Sequence, residues 1–154
     1  MTPTSPEYDT GPVAVGETFV GSHRFTPDEV RAYATMMGDT NPLHHDADLA
    51  ARSRYGGLIA SGTHSIGLLL ALTAHHFSKR APPVVGVAFS TALKRAVAAD
   101  AAVSLEWTVV GVSPHKGGPA QLVDLEGVLR DADGRVCVAS TGRVLVHLDA
   151  GSAG

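Results

Sequence analysis

The sequence predicts an α+β domain in which an antiparallel sheet wraps a long central helix. Two observations lead there. Between Thr63 and Ser78, apolar residues (Ile66, Leu68, Leu69, Leu70, Ala71, Leu72, Ala74) fall on nearly every face of a helix, so that helix is expected to be enclosed. From Val84 onward the apolar period drops to two, giving four strand-like runs with no helix between them. Consecutive strands without crossover helices pair antiparallel, and a strongly curved sheet is the simplest cover for such a helix.

The elements follow in order. Residues 1–15, rich in Pro, Thr and Gly, are expected as a flexible N-terminal tail, 16–148 as the folded domain, and 149–154 as a short C-terminal tail. Thr18 to Phe25 reads as a strand. Thr26-Pro27-Asp28-Glu29 supplies a hydroxyl cap, a proline at the first helical position and a glutamate three residues after the cap. Val30, Tyr33, Ala34 and Met37 continue at helical spacing, and Gly38 stops the helix. Asn41-Pro42 forces a loop over Gly38 to His45, because the residue before proline is pushed out of helical geometry. Asp46 caps a short helix over about 47–53, which Tyr55-Gly56-Gly57 breaks. Leu58 to Ser61 is a connection, Ser61 or Thr63 caps the central helix, and Ala81-Pro82-Pro83 ends it.

The strand runs are Val85-Val87-Phe89-Thr91-Leu93, Val103-Leu105-Trp107-Val109, Val123-Leu125-Leu129 and Val136-Val138-Val144-Val146. Asp133-Gly134 marks a tight hairpin between the last two, and Ser113 to Pro119 a longer loop. Trp107 and Phe89 are expected in the core.

Composition narrows the function classes. At 154 residues, 44% hydrophobic and 18% charged, the chain is of ordinary globular type and suits one domain. A net charge of −3 gives no reason to expect nucleic acid or an anionic membrane as a partner. No signal peptide is expected, and the apolar window Ile66 to Ala74 is too short to span a bilayer. The single Cys137 excludes an intrachain disulfide and suits a reducing compartment, so a cytoplasmic protein is expected.

Gly38-Asp39-Thr40-Asn41-Pro42-Leu43-His44 is the chemical centre of the sequence. Asp39 with Asn41-Pro42 reads either as a turn after a helix or as part of a reactive site. With His44, and with Gly62 at the amino end of the central helix, the set comprises an acid, an imidazole and a backbone oxyanion donor. Hydration of an activated double bond requires those groups. No metal, flavin or nicotinamide motif is present, and this reaction needs none. His64, one turn from Gly62, is open between a structural and a pocket-lining role. His45 is expected to face solvent, and His75-His76 to favour the negative end of a helix dipole. His23, His115 and His147 carry no signal.

The run Tyr33-Ala34-Thr35-Met36-Met37-Gly38-Asp39-Thr40-Asn41-Pro42-Leu43-His44, with Ala50-Ala51, Gly56-Gly57 and Ile59-Ala60-Ser61-Gly62, resembles the (R)-specific enoyl-CoA hydratase signature of MaoC-like proteins. The resemblance extends from about Val15 to Val146. It implies the hotdog fold and hydratase/dehydratase activity on an enoyl or 3-hydroxyacyl thioester, with acyl-CoA or an acyl-carrier-protein thioester as partner. It assigns Asp39 and His44 as the acid–base pair and the Gly62 N–H as oxyanion donor. Asn41, Pro42, Ser61, Thr63 and His64 would support the site. Lys94 and Arg95, with Lys116 and Arg143, are candidates for phosphate contacts. No cofactor is implied beyond the coenzyme A that enters with the substrate, and a homodimer is expected. The sequence departs from the family at Thr63, where relatives carry a bulky apolar residue. It departs again at Arg95-Ala96-Val97-Ala98-Ala99-Asp100, which lacks the usual proline and glycine. The alternatives are a hotdog thioesterase, against which the Asp-x-Asn-Pro-x-His motif argues, and a non-catalytic acyl-CoA-binding subunit.

Overall fold

A computed structural model describes residues 11–80 and 84–148. The expected tail segments 1–10 and 149–154, and the Ala81-Pro82-Pro83 stop, lie outside the described residues. Within the segment read as a tail, Val13 is buried and its N–H donates to Gln121 Oε1 at 2.9 Å.

The elements are β1 (Thr18–Arg24), α1 (Pro27–Met37), a 3-10 turn (Pro42–His44), α2 (Ala47–Arg52), α3 (Gly62–Phe77), β2 (Val85–Leu93), β3 (Ala102–Pro114), β4 (Ala120–Arg130) and β5 (Val136–His147). All five strands form one antiparallel sheet in the order β1-β3-β4-β5-β2. This is the hotdog fold. The sequence period gave the strands but not their spatial order. β2 leaves its sequence neighbour β3 and pairs with β5 at the far edge. The crossing segment 94–101 runs antiparallel to 58–60, where the Ala60 N–H donates to Val97 O and the Ala99 N–H to Leu58 O.

Local chemistry sets the helix ends. Thr26 Oγ1 accepts from the Glu29 N–H, and Pro27 occupies the first turn. Gly38 adopts φ 71°, which the chain needs to turn back so that the Asp39 N–H can donate to Ala34 O at 2.8 Å. Asp46 Oδ1 accepts from the Leu49 N–H and starts α2.

α3 lies across β1, β3 and β4, and α1 packs beside it. The Trp107 indole N–H donates to the Leu69 carbonyl at 2.7 Å, pinning the helix to β3. Trp107 faces Gly127 in the β3–β4 register and Phe89 faces Gly142 in the β2–β5 register. A Cβ at Gly127 would stand 2.5 Å from the indole, and one at Gly142 would stand 2.6 Å from the Phe89 ring. The two glycines therefore make the space in which these rings lie edge to face, 6.0 Å apart. Trp107, Phe25, Phe77 and Leu69 are all essentially inaccessible, and burial of each contributes about 1.5–3 kcal/mol.

Two expectations need correction. α3 is not enclosed on every face, because Thr63, Gly67, Ala71, Ala74 and His75 form an exposed stripe that the single sheet does not reach. β2 does not bury one alternating face either. Val85, Val87 and Leu93 are more than half exposed, because β2 is the sheet's last strand and α3 covers the other end.

Candidate active site

The first reactive group is placed by the end of α1. Asp39 follows the Gly38 turn, and its two oxygens are taken by different donors. Oδ1 accepts from the Asn41 N–H at 3.1 Å and Oδ2 from the Ser61 hydroxyl at 2.9 Å. These hydrogen bonds stabilise the ionised form and hold the Asp39 carboxyl below its ordinary value. The nearby rings of His44 and His45 act in the same direction.

His44 sits on the 3-10 turn that Asn41 initiates by accepting the Leu43 N–H on its own Oδ1. The imidazole is buried, and Nδ1 lies 2.7 Å from the Ile59 carbonyl oxygen. A carbonyl can only accept, so Nδ1 carries the hydrogen, and Nε2 is the nitrogen free to exchange a proton. That Nε2 stands 3.4 Å from Asp39 Oδ2. When His44 is neutral, two acceptors face each other there. The proton of an imidazolium satisfies them, as do the two hydrogens of one water.

The third part is the amino end of α3. Ser61 occupies the cap position yet makes no side-chain cap bond, because its hydroxyl is spent on Asp39. The first N–H groups of the 16-residue helix are therefore left without a side-chain acceptor, a setting that favours a developing negative charge. A Cβ at Gly62 would fall 2.5 Å from Leu93 Cδ1, the tip of an exposed, flexible side chain that can turn aside, so sterics alone do not demand glycine here.

His44 and Gly62 line a groove of about 380 Å³ together with residues that include Asn41, Leu93, Lys94 and Arg95. Asp39 and Ser61 are not among its lining residues, and Asp39 reaches it through its contact with His44. Lys94 and Arg95 are held at its rim by backbone bonds to the Cys137 carbonyl, 2.8 and 3.2 Å long. Pro42 and Thr63 are exposed and do not line it. His64 is buried but turns away, stacking on Tyr33. Arg143 is ion-paired with Asp124 on β4 rather than at the groove, and Lys116 is exposed in the β3–β4 loop.

Sequence reasoning missed three residues. Arg54 lines the groove as a third cation, above the Tyr55 ring at 5.1 Å. Ser65 also lines it, with a buried hydroxyl that has no partner. Its spacing of three from Gly62 on a helix was the available signal. His45, expected to face solvent, is half-buried and donates from Nε2 to the Asp39 carbonyl at 2.6 Å, tightening the loop.

A family model described as a MaoC like domain matches residues 10–126. The chain belongs to the MaoC-like family. Among solved structures, it is similar to a MaoC-like dehydratase from Rhodospirillum rubrum, with 26% identity, TM-score 0.75 and coverage of 88% of this chain and 94% of that one. An (R)-hydratase from A. caviae involved in PHA biosynthesis aligns at 24% identity and TM-score 0.76, covering 88% and 97%. An R-hydratase from Pseudomonas aeruginosa aligns at 20% identity and TM-score 0.79, covering 89% and 84%. No curated protein matches the sequence. The Asp39–His44 pair and the uncapped end of α3 place an ionised acid, an imidazole of fixed tautomer and the Gly62 N–H in one part of the chain. Among the described residues, no helix is long and apolar enough to cross a membrane.

Proposed function

We propose that this protein hydrates a trans-2-enoyl thioester to the (R)-3-hydroxyacyl thioester, and catalyses the reverse dehydration. The observation that carries this reading is the 3.4 Å approach of His44 Nε2 to Asp39 Oδ2, with Nδ1 committed to the Ile59 carbonyl. One water can donate to both Nε2 and Oδ2 and turn its lone pair toward C3. As the C3–O bond forms, the π electrons move toward C2 and the thioester oxygen. The pair takes the water's proton and a proton is delivered to C2, which closes the balance. The Gly62 N–H, at the uncapped end of α3, meets the charge that develops on the oxygen.

Three cations at one groove, Arg54, Lys94 and Arg95, favour a substrate presented on a phosphate-bearing arm, coenzyme A or a carrier protein. Further, we propose that two copies pair. The apolar residues exposed on edge strand β2 and the bare stripe of α3 are surfaces that soluble proteins normally cover. The buried free thiol of Cys137 suits the reducing cytoplasm.

The test follows loss of the conjugated enoyl-thioester absorbance with crotonyl-CoA and a longer enoyl-CoA. Wild type should remove the absorbance without releasing thiol, and Asp39→Asn and His44→Ala should each lose nearly all of that rate. Free thiol would establish a thioesterase instead. Tight enoyl-CoA binding without turnover would make the chain a binding subunit.

A further inference from the structure

Two imidazoles and a carboxylate converge outside the active-site groove, His64 being brought to His23 and Glu29 by the packing of α3 beside α1. His23 lies on β1, Glu29 in the first turn of α1 and His64 in the first turn of α3. We propose that these three residues form a zinc site that ties β1 to the starts of both helices.

The geometry supports it. Zinc bonds of about 2.1 Å in a tetrahedron place ligand atoms roughly 3.4 Å apart. His23 Nε2 is 2.8 and 3.1 Å from the two Glu29 oxygens, and His64 Nε2 is 3.3 Å from Oε1. One ligand atom from each residue lies within 4.8 Å of the others. Small side-chain rotations bring them to a common ion, leaving a fourth position for water. Half-exposed His23 and Glu29 provide the path in, and buried His64 closes the floor.

Three further observations show that the cluster is held for more than packing. Glu29 stands where a capping-box glutamate would reach back to the Thr26 N–H, yet its carboxylate turns to the two histidines. The rings are fixed in place. Tyr33 stacks on His64 at 4.1 Å and 7°, and Phe25 meets both imidazoles edge-on at 4.9 Å. His64 is kept in an apolar setting with Nδ1 unpaired, a burial that a leucine would make without cost. In sequence Glu29 reads as a capping-box residue, His64 as open between structural and pocket-lining roles and His23 as carrying no signal, and no spacing motif joins the three.

The site is independent of the proposed hydration, because Asp39, His44 and Gly62 supply none of its ligands. The full chain, freed of metal with EDTA, is titrated with zinc chloride by calorimetry, and bound zinc is counted after dialysis. The expected result is one zinc per chain, bound at least about tenfold more weakly by His23→Gln and by Glu29→Gln. Asp39→Asn should bind like wild type, and zinc should raise the melting temperature of wild type but of neither weakened variant. Cobalt(II) should give the intense visible bands of a four-coordinate site. Both weakened variants alter half-exposed side chains, and thermal melts without metal check that each is folded. Failure to retain zinc would overturn the proposal, as would equal affinity in both variants. Loss of zinc on His76→Gln would also overturn it, by moving the ion to the Glu17–His76 pair.

Discussion

The Ser61 hydroxyl donates to Asp39 Oδ2 across 2.9 Å, and in doing so leaves α3 without a side-chain cap. One hydrogen bond thus serves both halves of the site. It fixes the acid, and it keeps the helix's backbone donors available.

Removing that bond should shift the pH profile. Asp39 is held below its ordinary carboxyl value, so it stays ionised at neutral pH and protonates only at pH values below the usual range. In Ser61→Ala one of the causes disappears, the Asp39 pKa rises, and the acid limb of kcat/KM should move to higher pH. A lower rate with an unmoved acid limb would show that Ser61 acts through packing alone.

Ser65 should affect stability and binding in opposite directions. Its hydroxyl is buried without a partner, a cost of about 1–3 kcal/mol that Ser65→Ala relieves. Chemical denaturation should show the free variant equal to or more stable than wild type, while KM for the enoyl thioester rises several-fold. Unchanged KM would remove Ser65 from the substrate's contacts.

The Asp39–Gly62 site was only partly legible. The helix from Thr26 to Gly38 was readable because its cap, first-turn proline and stop lie within thirteen residues and act locally. Asp39 and His44 could be paired because the run that contains them resembles the MaoC-like signature, which assigns both roles. Ser61's choice of Asp39 over its own helix was not readable, since it depends on where α3 meets the end of α1. The exposure of Val85, Val87 and Leu93 was hidden for a related reason. A period of two shows that a strand has faces, but not whether anything covers them.

Gly127→Ala tests the core. Its Cβ would meet the Trp107 ring at 2.5 Å, and that wholly buried indole cannot easily move. Overpacking of this kind costs about 1–3 kcal/mol, to be read as a lower urea midpoint with an unchanged m-value. An unshifted midpoint would mean that the indole has room to tilt.

Pairing through the uncovered surface is tested by sedimentation. Wild type should run as a dimer, and Val85→Lys combined with Val87→Lys should shift it toward monomer. A monomeric wild type would reject the pairing, and a dimeric double variant would place the interface away from β2.

The spatial order of the sheet also has a consequence for how the chain reaches its folded state. β3, β4 and β5 are joined by short hairpins and can zip locally. β1, however, must find β3 across most of the chain: Thr18 pairs with Thr108. Long loops closed late make such topologies slow to fold. The hairpin core is therefore expected to form first, with β1, α1 and the Asp39 loop docking onto it afterwards. The reactive pair would then be completed among the last steps, on a platform that is already rigid.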